Sequence, residues 1–167
     1  MNQEVIAIGE SANHVAQPDS FLLADGSVDK KLVVLQNKTA ILAALREFGV
    51  VTAVVSYYGE GDEGSIVGIE LTPADTPALT SIVIMKALSS SFDGDSREWT
   101  HQVSEKTVDL DTAIRDFAED LIEFHGHSAY GDQDGGGGDV TFDVEGDSVA
   151  HDHFDNVIET VHDINEL

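Results

Sequence analysis

The feature that most constrains this chain is an acidic load concentrated in its C-terminal part. Between Val108 and Leu167 there are seventeen acidic residues and a single base, Arg115, a net charge of −16 within a whole-chain charge of −24. Carboxylates are costly to bury, so any fold must spread this segment over its surface and accept the repulsion between like charges. The same charge repels nucleic acid. The sequence therefore excludes direct nucleic-acid binding and predicts a basic protein surface, that of a nucleic-acid-binding protein, as the partner.

The rest of the composition is that of a folded domain. Hydrophobic residues make up 41% of the 167 residues, enough for a core, and a single domain spanning residues 1–167 is expected at this length. The chain has no cysteine, which excludes disulfides and thiolate chemistry. Its first ten residues lack a basic region followed by an apolar stretch, and no apolar run approaches the length of a membrane span. We therefore expect a cytoplasmic protein without a membrane partner.

Hydrophobic periodicity predicts two main helices. Apolar spacing predicts one over Asn37–Phe48, with Asn37 or Thr39 as its N-cap. A second helix is predicted over Leu110–Phe124, with Asp109 as its N-cap and an acidic outer face. Residues 1–36 lack a clear pattern and are predicted to be irregular, with one or two short strands.

Turn residues separate the predicted strands, so the strands are expected to pair antiparallel. The predicted strands are Val50–Tyr58, Ser65–Leu71, Thr80–Leu88, Glu98–Val108, Asp139–Glu145 and Ser148–Phe154. The serine run Ser89–Ser91 and the glycine run Gly135–Gly138 are predicted to be connections, and both a strand and a short helix fit the end of the chain, 155–167. These elements predict a single α+β domain with a mainly antiparallel sheet and two main helices packed on one face.

One hydrophobic core is predicted to gather side chains from both helices and several strands. Its predicted members are Ile41, Leu45, Val54, Phe117, Leu121, Val140, Phe142 and Val144. Because side chains alternate along a strand, the second strand is also expected to place Val67, Ile69 and Leu71 on one face.

Seven histidines raise the possibility of a metal site, although their spacing matches no tight signature. His125 and His127 flank the predicted end of the second helix, while His151 and His153 are two apart on a strand and share one face. Together with His162 and nearby carboxylates, they could assemble a site for zinc or a similar ion. No His-Glu-x-x-His sequence is present. The sequence therefore predicts no bound metal, no cofactor and no catalytic residue, with a metal-dependent enzyme or metal-binding module as the alternative.

Two stretches together resemble a known family. The first, Ile41–Glu70, combines a helix, a strand ending in Tyr58 and a Gly-x-Gly-Asp-x-Gly turn. The second, Asp116–Asp155, combines a helix, a loop containing Ala129-Tyr130-Gly131 and a strand containing Phe142-Asp143-Val144. The pattern covers about half the chain and is similar to an uncharacterised bacterial family, a domain of unknown function found among genes of plasmids, integrated elements and phages. This chain departs from it by lacking a tryptophan in the late loop and by its extended glycine run. The resemblance implies no activity; it implies genes that confront host defence systems.

The leading functional hypothesis is a non-enzymatic acidic binding protein, a nucleic-acid-mimicking inhibitor of a host defence or DNA-binding protein of the anti-restriction or anti-CRISPR type. Duplex DNA carries roughly one charge per 1.7 Å of axis, so a mimic needs many carboxylates on one continuous surface. The acids expected to form that partner-binding surface are Asp116, Glu119, Asp120, Glu123, Asp139, Asp143 and Glu145. A halophile-adapted or structural protein of unrelated role, with a merely solvated acidic surface, is the other alternative.

Overall fold

In a computed structural model, the described part of the chain folds into two helices and six strands. The structure describes residues 21–23, 25, 27–132, 134–157 and 159. The elements are helix α1 (Lys30–Glu47), strands β1 (Thr52–Glu60), β2 (Glu63–Thr72), β3 (Ile82–Asp93) and β4 (Glu98–Asp109), helix α2 (Leu110–Phe124), and strands β5 (Gly136–Asp143) and β6 (Ser148–Asp155). Four strands form one antiparallel sheet in the order β2-β1-β5-β6, and β3 pairs with β4 in a second. The predicted α+β class and antiparallel pairing are confirmed, although the strands divide between two sheets instead of forming one.

The core lies where the helices pack on the inner face of the four-stranded sheet. Val55 and Tyr57 point inward from β1, and Val140 and Phe142 do so from β5. Phe117 of α2 packs on Phe142 with ring centroids 5.5 Å apart. The predicted core residues Ile41, Leu45, Phe117, Leu121, Val140, Phe142 and Val144 are all buried in this cluster.

Two predictions about which side chains face the core are corrected by strand geometry. Val54 is only half-buried, because the alternation of β1 places Val55 inward instead. On β2 the register shifts opposite the step from Ser56 to Tyr57. Ile66 consequently packs against the core, while Val67 is 68% exposed. An extra residue in a strand changes which neighbours face inward, and here the unpaired residue, Val67, lies next to Gly68.

Helix α1 begins at Lys30, inside the segment 1–36 that the sequence predicts to be irregular. Its N-cap is Asp29, whose carboxylate accepts a hydrogen bond from a backbone N–H of the first turn at 3.1 Å. Neither Asn37 nor Thr39 is the cap. Asn37 is instead 2% exposed within the helix. A polar side chain at this buried position interrupts the apolar pattern, so the periodicity does not predict the first two turns of α1.

The serine and glycine runs that the sequence predicts to be connections are both parts of strands. Ser89–Ser91 belongs to β3, where Ser90 Oγ lies 2.8 Å from a His101 ring nitrogen across the hairpin. Gly136–Gly138 belongs to β5, between β1 and β6. Residues 1–20 of the segment 1–36, in which the sequence predicts one or two short strands, and the ambiguous end from residue 160 lie outside the described residues. Neither described helix is long and apolar enough to cross a membrane.

Asn37 joins α1 to the open edge of β3. Its Nδ2 donates a hydrogen bond to Lys86 O at 2.9 Å, and its Oδ1 accepts one from Lys86 N at 2.7 Å. The Asn37 side chain thereby gives a hydrogen-bond partner to both the N–H and the C=O of Lys86, which is half-buried. Buried backbone groups require such partners. These two hydrogen bonds hold the hairpin sheet against the helix.

We expect Asn37→Ala to lower the free energy of unfolding by about 2–3 kcal/mol, because it leaves the N–H and C=O of Lys86 without partners. Thr39→Ala, an exposed change in the same helix, is the matched control and should alter stability by less than about 0.5 kcal/mol. Urea denaturation followed by circular dichroism measures both. Equal stability of the two variants would show that the Asn37 hydrogen bonds contribute nothing to the fold.

Candidate functional site

Four histidines and one tyrosine meet at one end of the inner face of the four-stranded sheet. His151 and His153 lie on β6, Tyr57 lies on β1, and His125 and His127 follow the last turn of α2. We call these five residues the histidine centre. The sequence identifies the two His-x-His pairs, but only the fold brings them into contact.

A helix end places His125 and His127. His125 is the C-cap of α2, and Gly126 follows it with a φ of +84°. The N–H groups of Gly126 and His127 donate to Glu123 O at 2.9 Å and to Ile122 O at 3.0 Å, the two hydrogen bonds of a Schellman motif. Glycine is favoured there because the left-handed conformation costs other residues roughly 1–2 kcal/mol. The His-Gly-His sequence therefore reverses the chain and brings both rings against those of β6.

Gly138 makes room for the Tyr57 side chain between β1 and β6. In the register of the sheet, Gly138 pairs with Tyr57 on one side and with His153 on the other. A Cβ on Gly138 would lie 2.8 Å from Tyr57 Oη and 2.0 Å from Asp152 O. The missing side chain lets the tyrosine hydroxyl cross β5 and reach the histidines of β6. The glycine run is thus part of the site.

The Tyr57 hydroxyl is shared by two histidines. Its Oη lies 2.6 Å from His151 Nε2 and 2.7 Å from His153 Nδ1. At one end, His151 Nδ1 lies 2.7 Å from His125 Nδ1; at the other, His153 Nε2 lies 3.0 Å from Asp155 Oδ1. These contacts form a chain of four hydrogen bonds from His125 to Asp155.

Tyr130, from the loop after α2, covers Tyr57. The two rings meet edge to face with centroids 4.9 Å apart. Tyr130 fits because Gly64 has no side chain, since a Cβ there would come within 2.5 Å of the Tyr130 ring. Tyr57 is consequently only 2% exposed. The middle of the hydrogen-bond chain is therefore shielded from water.

His127 completes the centre through ring contacts. Its ring centroid lies 3.9 Å from that of His153 and 5.7 Å from that of His151. Within the described part of the chain its ring forms no hydrogen bond, so both of its nitrogens remain available. His125 is exposed, and the centre opens to solvent on that side.

His151 and Tyr57, in the middle of the hydrogen-bond chain, are uncharged near neutral pH. Burial, followed by the proximity of His125, His127 and His153, lowers the pKa of His151 to about 4. Burial, followed by Tyr130 and nearby aspartates, raises the pKa of Tyr57 to about 12. His151 therefore keeps a lone pair on one ring nitrogen, and Tyr57 keeps its hydrogen.

As the side chains stand, no three His, Asp or Glu residues among those the structure describes surround a point where a metal ion could sit. The reason is visible at His125 and His151, whose Nδ1 atoms are 2.7 Å apart in a hydrogen bond. Two nitrogens bound to one tetrahedral zinc at about 2.0–2.1 Å would be about 3.3 Å apart. His162, the remaining histidine of the predicted metal set, lies outside the described residues.

The acids of α2 that the sequence assigns to a partner-binding surface do lie together. They form what we call the α2 ridge, consisting of Asp116, Glu119, Asp120 and Glu123. Asp116 is paired with Lys106 at 2.7 Å, and Glu123 with Lys30 at 3.5 Å. Glu119 and Asp120 are exposed. Two of the four charges are thus partly offset by lysines, and two face solvent.

A cleft of about 480 Å³ lies beside the α2 ridge and is lined in part by Asp120, Glu123 and Phe124. Desolvation raises the pKa of Asp120, Lys106 opposes the rise, and the other three acids of the ridge add to it.

The strand acids of the predicted surface lie elsewhere. Phe142 faces α2, so Asp139 and Asp143, at alternate positions of β5, face away from the helix. Asp139 accepts a hydrogen bond from a β1 serine at 2.6 Å, and Asp143 accepts one from a backbone N–H of the β5–β6 turn at 2.9 Å. Glu145 is exposed in that turn. The structure does not join these three acids to the α2 ridge.

Tyr57, Gly138 and Asp155 belong to the site, and the sequence analysis assigns none of them a role there. Tyr57 lies on the same face of β1 as Ala53 and Val55, which marks it as a core residue. Gly138 has the character of a turn residue, and Asp155 is one acid among thirty-two. The sequence pattern does place His151 and His153 on one face of a strand. Only the strand order shows that a tyrosine lies opposite them.

We expect Gly138→Ala to destabilise the fold and disrupt the histidine centre. The added methyl group would collide with the β6 backbone and the Tyr57 hydroxyl, and such overpacking costs about 1–3 kcal/mol. Gly94→Ala is the matched control, since a Cβ there meets nothing within 4 Å. Urea denaturation compares the two. A Gly138→Ala protein as stable as the control would contradict the need for glycine beside Tyr57.

Comparison with known proteins identifies a family without a known activity. Neither a curated protein nor a solved structure matches the chain. A family model described as a family of unknown function (DUF6878) matches residues 33–166, which include the whole histidine centre. The resemblance to an uncharacterised family is confirmed and extends over most of the chain, while the match carries no information about bacterial or mobile-element origin. The chain belongs to DUF6878, a family of unknown function.

Proposed function

We propose that the histidine centre binds a divalent transition-metal ion. The observation that carries this proposal is the convergence of four imidazole rings from two distant His-x-His segments. Imidazole nitrogen is a good ligand for zinc, copper and nickel. The proposal reverses the expectation from the sequence, which considered the spacing of the histidines without their contacts.

Small movements would convert the cluster into a ligand set. The Nδ1 atoms of His125 and His151 would separate by about 0.6 Å to reach the spacing of two nitrogens on a tetrahedral zinc. Two imidazoles on such an ion place their ring centroids about 5 Å apart. The centroids of His125 and His127 lie 5.0 and 5.7 Å from that of His151. These three histidines are the proposed ligands.

Near pH 7 a metal ion would not have to displace a second proton from His151. His151 is neutral near pH 7 because its pKa is lowered to about 4, and the neutral imidazole is the form that binds metals. The charge of −24 attracts cations to the whole surface. Carboxylates prefer hard cations such as Mg²⁺, so an excess of Mg²⁺ separates their weak binding from that of the histidines.

We expect chelator-treated protein to bind one zinc ion per chain in the presence of excess Mg²⁺. Changing His125 and His151 together to Ala should weaken zinc binding by at least about tenfold, because ligand loss costs no less than loss of an outer partner. His101→Ala is the matched control, since His101 pairs with Ser90 on the hairpin sheet. Isothermal titration calorimetry and elemental analysis measure affinity and stoichiometry.

Equal zinc affinity in the double variant and in His101→Ala would refute the metal proposal. Circular dichroism checks that each variant is folded. If the double variant does not fold, His127→Ala decides the question, because the His127 ring takes no part in the hydrogen-bond chain and is a proposed ligand.

A second candidate function is the binding of a basic protein through the α2 ridge, favoured by the density of its charges. Asp116 and Glu123 are seven positions apart, a rise of about 10 Å along the helix. Four carboxylates over that length are about one per 2.6 Å, a sparser spacing than the roughly one charge per 1.7 Å of axis in duplex DNA. In this form the chain would be a nucleic-acid-mimicking inhibitor of a host defence or DNA-binding protein.

We expect neutralisation of the α2 ridge to abolish capture of basic DNA-binding proteins from a bacterial lysate at low salt. The ridge variant carries Glu119→Gln, Asp120→Asn and Glu123→Gln. The matched control removes equal charge from the far side of the sheet and carries Asp139→Asn, Asp143→Asn and Glu145→Gln. Wild-type capture should fall steeply with salt, because exposed charges are screened over about 8–10 Å, and duplex DNA should compete with it.

The control variant should capture the same proteins as the wild type. If the ridge variant also captures them, the acidity is only a solvated surface, as halophilic adaptation predicts. In that case the ridge variant should differ from wild type only in its solubility at high salt.

A further inference from the structure

Asp155 lies at the outer end of the hydrogen-bond chain that crosses the histidine centre. Its side chain is 75% exposed, whereas that of its partner His153 is only 8% exposed. An ionised carboxylate has no hydrogen to donate and can only accept. The 3.0 Å contact between His153 Nε2 and Asp155 therefore requires a hydrogen on that nitrogen.

The hydrogen on His153 Nε2 determines the direction of the next hydrogen bond, the one between His153 and Tyr57. A neutral imidazole carries one hydrogen, so His153 Nδ1 is an acceptor once Nε2 is the donor. The Tyr57 hydroxyl, 2.7 Å away, has a single hydrogen and gives it to His153 Nδ1. The tyrosine oxygen is then left as an acceptor.

The directions of the remaining two hydrogen bonds, those of His151 and His125, follow in the same way. His151 Nε2, 2.6 Å from the tyrosine oxygen, must donate, which leaves His151 Nδ1 with a lone pair. His125 Nδ1, 2.7 Å from that lone pair, must carry a hydrogen. His125 Nε2 is then the nitrogen without a hydrogen, on a ring that is exposed.

We propose that Asp155 is a positioning residue that sets the tautomers of the histidine centre. All four hydrogen bonds point from His125 toward Asp155, and hydrogen bonds aligned in this way polarise and strengthen one another. The reverse direction is closed to a neutral chain, because the carboxylate has no hydrogen to give. Asp155 thereby orients His151, three hydrogen bonds away, so that its lone pair lies on Nδ1.

This inference deepens the proposed metal site and in that respect rests on it. His151 Nδ1 is the nitrogen that we assign to the metal, and its ring is held by a hydrogen bond from Nε2. His125 Nδ1 carries a hydrogen in the metal-free protein, so that hydrogen must move to His125 Nε2 before His125 Nδ1 can bind the same ion. Metal-ligating histidines are generally oriented by such an outer partner. Here the outer partner is the Tyr57 hydroxyl, which is itself directed by His153 and Asp155.

Nuclear magnetic resonance of the metal-free protein tests the proposal directly. Long-range proton–nitrogen spectra of the imidazole rings, recorded at mildly alkaline pH, report which nitrogen carries the hydrogen. We expect Nε2–H for His151 and His153 and Nδ1–H for His125. His125 is the informative ring, because its assignment is opposite to that of the other two.

Variants of Asp155, Asp152 and Tyr57 distinguish a positioning role of Asp155 from an effect of its charge. Asp155→Ala should move the hydrogen of His125 to Nε2 or average it between both nitrogens, and Asp155→Asn, whose amide can either accept or donate, should no longer impose a single direction. Asp152→Ala removes an equal charge from the same strand and should change nothing. Tyr57→Phe breaks the chain at its middle and should release His125 while His153 remains Nε2–H.

Nε2–H at His125 in the wild type would overturn the proposal, as would an unchanged pattern in folded Asp155→Ala or the same change in Asp152→Ala. These spectra contain no metal, so they do not depend on the metal proposal. A zinc titration joins the two, since loss of an outer partner should weaken binding about 10–100-fold in Asp155→Ala. If the tautomers respond but wild type binds no zinc, only the metal proposal fails; if zinc binds and the tautomers do not respond, only the role of Asp155 fails.

Discussion

The packing of α2 on the four-stranded sheet is the interaction on which both the core and the histidine centre depend. Phe117 meets Phe142 in the middle of this contact, and the helix ends where it reaches the histidines of β6. A shift of α2 by one turn, about 5.4 Å, would separate His125 from His151, whose nitrogens are 2.7 Å apart. The apolar contact therefore sets the geometry of a polar site, and the site has the rigidity of the core on which it is built.

The acidic residues are divided between two outer surfaces of the protein. One face of α2 is buried, and its other face carries the ridge. The outer face of the sheet carries further acids, and Asp139 directly opposes Asp152 between β5 and β6. Like charges in that position are destabilising, and the hydrogen bond from Ser56 to Asp139 offsets part of their repulsion. The division separates charges that would otherwise repel at short range, and it also limits how much of the acidity any one partner could contact.

Local signals allowed the sequence to place some elements well, and tertiary contacts explain where it failed. The bounds of α2 match the prediction because Asp109 and Gly126 act within a single turn. Asn37 misled the prediction of α1, since its reason for being inside the helix is a pair of hydrogen bonds to a distant strand. The two His-x-His pairs were recognisable as candidate ligands. Their contact was not, because it depends on strand order and on where α2 crosses the sheet, neither of which periodicity contains.

The three glycines at the start of β5 are related to the hydrogen-bond chain that lies beside them. Glycine in a strand is destabilising by roughly 0.5–1 kcal/mol relative to Ala at each position, and Gly136–Gly138 occupies three consecutive positions of an inner strand. At Gly138, a strand with side chains would exclude Tyr57 Oη from the space it occupies. The local rules of strand composition are thus broken where a polar network crosses the sheet, and such departures are expected at functional sites. This coincidence is an argument, independent of the histidines themselves, that the centre is the part of the fold with a chemical role.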